Sequence, residues 1–227
     1  FTLQTPVADT QIDMGTEQQA SEEIKKIALE FGAGLVGITN YDIRWEYSRK
    51  FSDMSATSRP AEIPDTLNNV IVIAQPMDYE LVRTVPSALS GSATGLGYSH
   101  DALAVLSLAQ YIRNLGYEAI GSMNDTSLAI PYAIKSGLGE YGRHGLLITP
   151  KYGPRIRLGK VYTNMPLSHD RPIRFGVKEF CEICRRCTKG CPVKAIPDGP
   201  PSKDTHNQSN ILGVKKWSVD GEKCFGF

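Results

Sequence analysis

The apolar positions in the N-terminal part of the chain predict an alternation of helices and strands. Apolar residues recur at helical spacing after Thr16, which can cap a helix N-terminus, so a helix is predicted over 16–31. Short apolar runs at 35–38 and 70–74 predict buried strands, and the second is β-branched enough to lie inside a sheet. The mixed stretch 41–64 predicts a loop with helical pieces.

The pattern changes after the second strand. Residues 79–97 are rich in Ser, Gly and Thr, which predicts a surface or site-forming loop. Helical spacing returns over 101–115, where Gly116 would end the helix. The candidate buried positions of this helix are Leu103, Leu106, Ala109, Tyr111 and Leu115.

The next segments complete a sheet. A strand is predicted at 118–122 and a short helix at 127–135, followed by a glycine-rich loop. Residues 146–149 and 155–163 are predicted to pair as strands around the turn 150–154. These elements predict an α/β or α+β core with a layered sheet.

Composition narrows the function classes. The 41% of hydrophobic residues suffices for one large or two small domains, and 25 basic against 24 acidic residues leave a net charge of +1. A net charge this close to zero gives the protein no overall positive electrostatic field that would attract nucleic acid, so a nucleic-acid partner is not expected. Cysteine, proline and charge replace apolar periodicity after Phe180, which predicts domains over 1–178 and 179–227.

The cysteines carry the strongest motif. Cys181, Cys184, Cys187 and Cys191 have the C-x2-C-x2-C-x3-C spacing, with a proline after the last. This spacing is typical of 4Fe-4S modules, in which the first three cysteines ligate one cluster and the fourth ligates a second cluster. Cys224 is the fifth and last cysteine, and it would join Cys191 on the second cluster.

Two 4Fe-4S clusters need eight thiolates, so a further cysteine run is expected beyond Phe227. A zinc site is an alternative, although zinc ligands usually form two C-x2-C pairs separated by a longer loop. Disulfides are a second alternative, but the odd number of cysteines and their close spacing disfavour them.

The glycine-rich loop holds Gly137, Gly139 and Gly142 in the G-x-G-x-x-G spacing. A helix-like segment precedes it and a strand-like one follows, the reverse of the order in a dinucleotide fold. The glycines fit better as a loop whose bare backbone lies against a large flat cofactor.

Several segments together resemble the corrinoid-dependent reductive dehalogenases. The segments are 124–145, 148–154, Arg157 and 172–177, followed by the cysteine motif, and the match runs in one register from about Tyr98 to Cys224. The resemblance implies a nitroreductase-like core with a base-off corrinoid (cobalamin or norpseudo-type) and then a partial ferredoxin-like module with two 4Fe-4S clusters. The corrinoid-binding residues that it implies are Gly137, Leu138, Gly139, Gly142, Arg143 and Gly145.

The resemblance also implies a reaction and its residues. The reaction is reductive dehalogenation of a small organohalide such as a chlorinated ethene, in anaerobic organohalide respiration. Tyr98 would donate the proton, Arg157 would stabilise the phenolate and Asn124 would help to set the site. A phenol is a weak acid with a pKa of about 10, and a fixed guanidinium favours its anion. Strand alternation puts Arg155 on the same face as Arg157, so it competes for the role.

Partners and location follow from the resemblance alone. It implies a processed protein on the outer face of the cytoplasmic membrane. The implied partners are a small membrane anchor protein and a quinone-linked or other low-potential electron donor, and a homodimer is one possible oligomeric state. The main alternative is an epoxyqueuosine reductase-like enzyme, which would use cobalamin and iron–sulfur clusters on a tRNA. A simple electron-transfer ferredoxin is a further alternative, but it would not need the long α/β core before the cysteines.

Overall fold

A computed structural model describes residues 5–52, 57–61, 63–207 and 210–227. The chain folds into two compact units, each built from two stretches of sequence. The first unit comprises Phe1–Leu138 and Arg155–Pro172, and the second comprises Gly139–Pro154 and Ile173–Phe227. The predicted boundary at 178/179 differs from this division, because the second unit starts earlier and includes a segment from the middle of the chain.

The elements mix helices with antiparallel strands, so the fold is α+β. The helices are α1 (Glu17–Glu30), α2 (Tyr79–Val82), α3 (Ala88–Asn114), α4 (Ala129–Lys135), α5 (Val177–Cys184), α6 (Arg186–Gly190) and α7 (Gly221–Phe225). The strands are β1 (Leu35–Asn40), β2 (Arg49–Ser52), β3 (Thr57–Pro60), β4 (Asn69–Pro76), β5 (Ala119–Ser122), β6 (Glu140–Tyr141), β7 (Leu147–Ile148) and β8 (Ile156–Thr163). Among the described helices, none is long and apolar enough to cross a membrane.

The first helix and the central strand confirm the N-terminal predictions. The Thr16 side chain accepts a hydrogen bond from the backbone of Gln19, whose side chain accepts one in return, so a capping box begins α1. Ile24 and Ala28 of this helix are fully buried in the core. The main sheet has the strand order β1-β4-β8-β5, which puts the β-branched β4 in its interior. All four strands are antiparallel to their neighbours.

The predicted pairing of 146–149 with 155–163 is wrong. β7 pairs with β6, and β8 pairs with β4 and β5 instead. The turn at 150–154 is held by hydrogen bonds of its own, because the backbones of Thr149 and Gly153 donate one hydrogen bond to each other. β8 is long and mostly apolar, and its last five residues are buried. A strand of this kind buries more apolar surface between two other strands of a sheet than it would in a hairpin with the short β7.

The prediction of a loop over 79–97 is also wrong. Most of this stretch lies in α2 and in the first half of α3, which begins at a capping box formed by Ser87 and Ser90. The low helix propensity of its glycines is offset by tertiary packing along one face of α3. The buried residues of that face are Ala93, Gly97, Asp101, Ala104, Val105, Leu108, Ala109 and Ile112.

The buried face of α3 differs in part from the predicted one. Ala109 and Leu115 are buried as expected, and Leu106 and Tyr111 are half-buried. Leu103 is 57% exposed, because the buried stripe runs through its neighbours instead. The predicted loop at 41–64 contains a short 3₁₀ turn at Ile43–Trp45 and the β2–β3 hairpin, while its residues 53–56 and 62 lie outside the described part.

Two glycines of α3 allow a matched stability test. A methyl group at Gly95 would enter open space, whereas one at Gly97 would lie 3.1 Å from Cγ of both Arg157 and Met77. We expect Gly95→Ala to raise the free energy of unfolding by about 0.5–1 kcal/mol, since Ala is the better helix former. Gly97→Ala should raise the free energy of unfolding by less, because the Arg157 and Met77 side chains must move to admit the methyl group. Urea unfolding of both variants measures the difference, and equal gains would show that the close approach at Gly97 is unimportant.

Candidate functional site

The structure brings together Tyr98, Asn124 and Arg157 within the first unit. Nδ2 of Asn124 donates a hydrogen bond of 2.9 Å to the Tyr98 hydroxyl oxygen, and Nη1 of Arg157 donates another of 3.3 Å. The Arg157 guanidinium carbon also lies 4.5 Å from the centre of the Tyr98 ring. The resemblance places these residues in one site, and the three side chains do converge.

Two donors on one phenol oxygen determine where its proton points. A phenol oxygen has a single O–H donor and two acceptor lone pairs. The N–H groups of Asn124 and Arg157 use the lone pairs, so the Tyr98 proton is directed away from both residues. The same two N–H groups would stabilise the phenolate that remains after proton transfer. The arrangement is therefore suited to a proton donor.

Three different elements position these side chains. Tyr98 lies in α3, Arg157 lies near the start of β8, and Asn124 follows β5. Arg155, the competing arginine, donates to the Met77 carbonyl at 2.6 Å and lies over the Tyr79 ring. The Arg155 side chain thus contacts Met77 and Tyr79, so Arg157 is the arginine of the two that binds the Tyr98 hydroxyl.

A buried lysine anchors the segment that carries Asn124. Lys160 is fully buried, and its Nζ donates to the carbonyl oxygens of Met123 at 2.5 Å and Ser127 at 3.2 Å, on either side of Asn124. Burial lowers the pKa of Lys160 to about 8, against the opposing effect of nearby acidic groups. The buried Tyr162 hydroxyl also bonds Ser127. Asn124 is exposed, so this anchoring fixes its backbone where its own packing does not.

A buried carboxyl lies on α3 one turn beyond Tyr98. Asp101 is 1% exposed, and a methyl group on Gly159 of β8 would come within 2.6 Å of its Oδ1, so the bare strand backbone makes room for it. Burial raises the pKa of Asp101 to about 7, while the charges of Lys160 and Arg157 oppose the rise.

This raised pKa predicts a pH dependence of stability. The folded pKa of Asp101 lies above the unfolded value, so its contribution to stability is complete below about pH 4 and falls as the pH rises through 7. Asn carries no titrating proton. We therefore expect Asp101→Asn to gain about 2–3 kcal/mol on the wild type between pH 5 and pH 8. Urea unfolding of both proteins at several pH values measures this, and parallel curves would contradict it.

Sequence reasoning missed Asp101 and Lys160 as parts of the site. The one sequence signal was a charged residue within an apolar strand pattern, which Lys160 shows, whereas the buried position of Asp101 is seen only in the folded helix. A charged side chain in such a position is buried only at a cost, so it often has a specific role.

The glycine-rich loop is explained by packing within the protein. Gly137 and Gly145 have left-handed backbone conformations, with φ of 76° and 83°. A methyl group on Gly139 would lie 2.2 Å from the Ile148 carbonyl oxygen, and one on Gly142 would lie 2.8 Å from Ile148 Cδ1. These four positions therefore need glycine for positive φ or for close approach, and at Gly139 and Gly142 the close partner is the protein itself.

The two larger residues of this loop are also occupied internally. Leu138 is 6% exposed, and the Arg143 side chain is buried in the second unit. Nε of Arg143 donates to the Cys181 carbonyl, and its Nη1 donates to the carbonyls of Pro197 and Gly199. The side chains of Leu138 and Arg143 are thus used for packing within the protein, and a corrinoid contact of this loop through its glycine backbone stays a prediction.

The cysteines are free thiols, and Arg143 braces the segment in which the first of them lies. Arg185 adopts a left-handed conformation with φ of 51°, which turns the chain between α5 and α6 and so between Cys184 and Cys187. Backbone N–H groups, first that of Ala195 at 3.3 Å from Sγ, lower the pKa of the Cys191 thiol. Within the described residues, no three His, Cys, Asp or Glu side chains lie close enough to hold a metal ion.

Comparisons with known proteins identify relatives of this chain. Tetrachloroethene reductive dehalogenase of Desulfitobacterium hafniense is 36% identical over 251 aligned residues, which cover 93% of this chain and 45% of that protein. The same-named protein of Sulfurospirillum multivorans is 37% identical over 229 residues, which cover 90% of this chain and 46% of that protein. The chain therefore spans less than half the length of these curated relatives.

A solved structure and a family model extend the comparison. A reductive dehalogenase structure, presented as suggesting a mechanism for B12-dependent dehalogenation, superposes with a TM-score of 0.84 at 27% identity. The match covers 98% of this chain and 31% of that one. The family model described as reductive dehalogenase subunit matches residues 54–167, which is half of the chain. The chain belongs to the reductive dehalogenase family.

Proposed function

We propose that this chain supplies the proton-donating site of a B12-dependent reductive dehalogenase that acts on a small organohalide of the chlorinated ethene class. The observation that carries the proposal is the convergence of Asn124 and Arg157 on the Tyr98 hydroxyl. The tetrachloroethene reductive dehalogenases among the relatives support the substrate class.

The reaction exchanges a carbon–halogen bond for a carbon–hydrogen bond. It consumes two electrons and one proton, and it releases the halide ion. The electrons are assigned to a corrinoid, on the strength of the B12-dependent dehalogenation described for the solved relative. The proton is assigned to the Tyr98 hydroxyl, whose lone pairs already accept two hydrogen bonds.

The protein's own part is to hold and release that proton. Asn124 and Arg157 keep the Tyr98 oxygen in place, and their N–H groups would bear the negative charge left on it. Lys160 holds the backbone on either side of Asn124, so the amide stays aimed at the phenol. The site thus pre-organises the charge-bearing groups before the proton moves.

The iron–sulfur clusters are part of the proposal. Cys181, Cys184 and Cys187 would ligate one 4Fe-4S cluster, and Cys191 and Cys224 would ligate a second. The motif spacing supports this assignment. Among the described residues, these thiols do not converge on a common metal position. A membrane anchor partner, a low-potential donor and a place on the outer membrane face belong to the proposal on sequence resemblance alone.

The experiment is a halide-release assay on the full-length protein that contains this chain. The protein is reconstituted anaerobically with cobalamin, iron and sulfide, and reduced methyl viologen serves as the electron donor. Chloride and trichloroethene should appear from tetrachloroethene in equal amounts. Reduction of an epoxyqueuosine-containing tRNA stem loop without any chloride release would overturn the proposal in favour of the tRNA-modifying alternative.

A further inference from the structure

Three buried polar atoms, one of Arg157 and two of residues near it, have no hydrogen-bond partner in the described part of the chain. They are Nε of Arg157, Oδ1 of Asp101 and Oε1 of Gln75. Gln75 and Asp101 are 6% and 1% exposed, so bulk water does not solvate their side chains. Buried polar atoms nearly always pair with protein or with ordered water. Three unpaired atoms in one region therefore point to a common partner.

The strand register and the helix contacts place the three groups on one face of the sheet. Gln75 in β4 lies directly opposite Arg157 in β8, and opposed residues of antiparallel strands share a face. Gly97 of α3 lies against Cγ of Arg157, so this is the face that α3 covers. Asp101 follows one turn later and lies over Gly159, two residues beyond Arg157 on the same strand.

The chemistry of the three atoms is complementary. The Nε–H of Arg157 is a donor, and the oxygens of Asp101 and Gln75 are acceptors. One water molecule can accept one hydrogen bond and donate two, which satisfies all three atoms at once. The other edge of the guanidinium is already committed, because Nη1 donates to the Tyr98 hydroxyl at 3.3 Å.

We propose that Asp101 and Gln75 are positioning residues that hold the Nε side of Arg157 across one bridging water, and so keep its Nη1 on Tyr98. Neither residue touches the phenol oxygen in the structure. They act through Arg157, whose planar guanidinium transmits an orientation fixed at one edge to the other edge. The effect on turnover rests on the proposed function, whereas the orientation of Arg157 does not.

The test combines crystallography and kinetics of the full-length holoprotein. A structure at about 1.5 Å resolution should show one water bonded to Nε of Arg157, Oδ1 of Asp101 and Oε1 of Gln75. In Asp101→Leu, Nη1 of Arg157 should leave the Tyr98 oxygen, and kcat should fall at least about tenfold with little change in KM. Asp101→Asn keeps an acceptor oxygen and should recover most of the lost kcat.

Val105→Ala is the matched control. Val105 lies one turn beyond Asp101 on the same helix face, and it packs on the same strand glycine without any polar group. It should lower stability and leave kcat unchanged, which separates positioning from a general packing defect. The proposal is overturned if Nε of Arg157 is bonded to some other group, or if Asp101→Leu leaves both the Arg157–Tyr98 contact and kcat intact. Because the crystal structure does not depend on turnover, failure of the dehalogenase proposal would leave this test standing.

Discussion

Tyr98→Phe is expected to lower the rate of organohalide reduction at least about 100-fold, the range typical of losing a general acid. The substitution removes only the hydroxyl. The ring that the Arg157 guanidinium covers at 4.5 Å is kept, so the packing of α3 against β8 should survive. Asn124 and Arg157 would lose their common acceptor, and the site would no longer hold a phenolic proton.

The measurement is chloride release under a low-potential donor, with corrinoid content determined in the same samples. Tyr117→Phe is the matched control, because the Tyr117 hydroxyl also makes a hydrogen bond, at 3.2 Å to the Ile12 carbonyl, away from the site. The control should keep full turnover. A Tyr98→Phe protein with normal corrinoid content and undiminished chloride release would show that the proton comes from elsewhere.

Local sequence signals were sufficient where the cause of the structure is local. The Thr16 cap and the apolar spacing after it determine α1, and the β-branched run at 70–74 finds its place inside the sheet. In both cases the hydrophobic pattern and the chain's own hydrogen bonds point to the same element.

Elements that depend on distant packing could not be predicted in this way. The first half of α3 reads as a loop because Gly91 and Gly95 are poor helix formers, and the face that stabilises it packs in part on Arg157, which is far away in sequence. The partners of β8 are likewise chosen by burial within the sheet, since its neighbours β4 and β5 lie well before it in the chain.

The same difference between local and distant causes applies to the residues of the candidate site. Tyr98, Asn124 and Arg157 were predicted from the register of a family resemblance, which carries tertiary information that spacing lacks. Asp101 and Lys160 were not, because only the folded chain shows that their charges are buried beside that site. The glycine-rich loop is the converse case: a loop of bare backbone was predicted, but the close approach of Ile148 to Gly139 and Gly142 is seen only in the folded chain.

Arg143→Ala is expected to lower the free energy of unfolding of the second unit by about 3–5 kcal/mol, because it removes several hydrogen bonds from a buried charged donor and a large buried side chain. Arg143 is 2% exposed and donates hydrogen bonds to three backbone carbonyls, and its guanidinium lies 4.6 Å from the centre of the Trp217 ring. Removing it leaves these carbonyls without that donor and opens a cavity beside the indole.

The consequence should extend to the cysteine motif, because one of those carbonyls belongs to Cys181. Urea unfolding followed by Trp217 fluorescence, in a Trp45→Phe background, reports on the second unit, since these are the two tryptophans of the chain. Arg174→Ala removes an exposed arginine of the same unit and should change stability by less than about 0.5 kcal/mol. Equal effects of the two substitutions would mean that Arg143 does not brace the motif. A large effect of Arg143→Ala alone would support the role of this arginine in bracing the segment that carries Cys181.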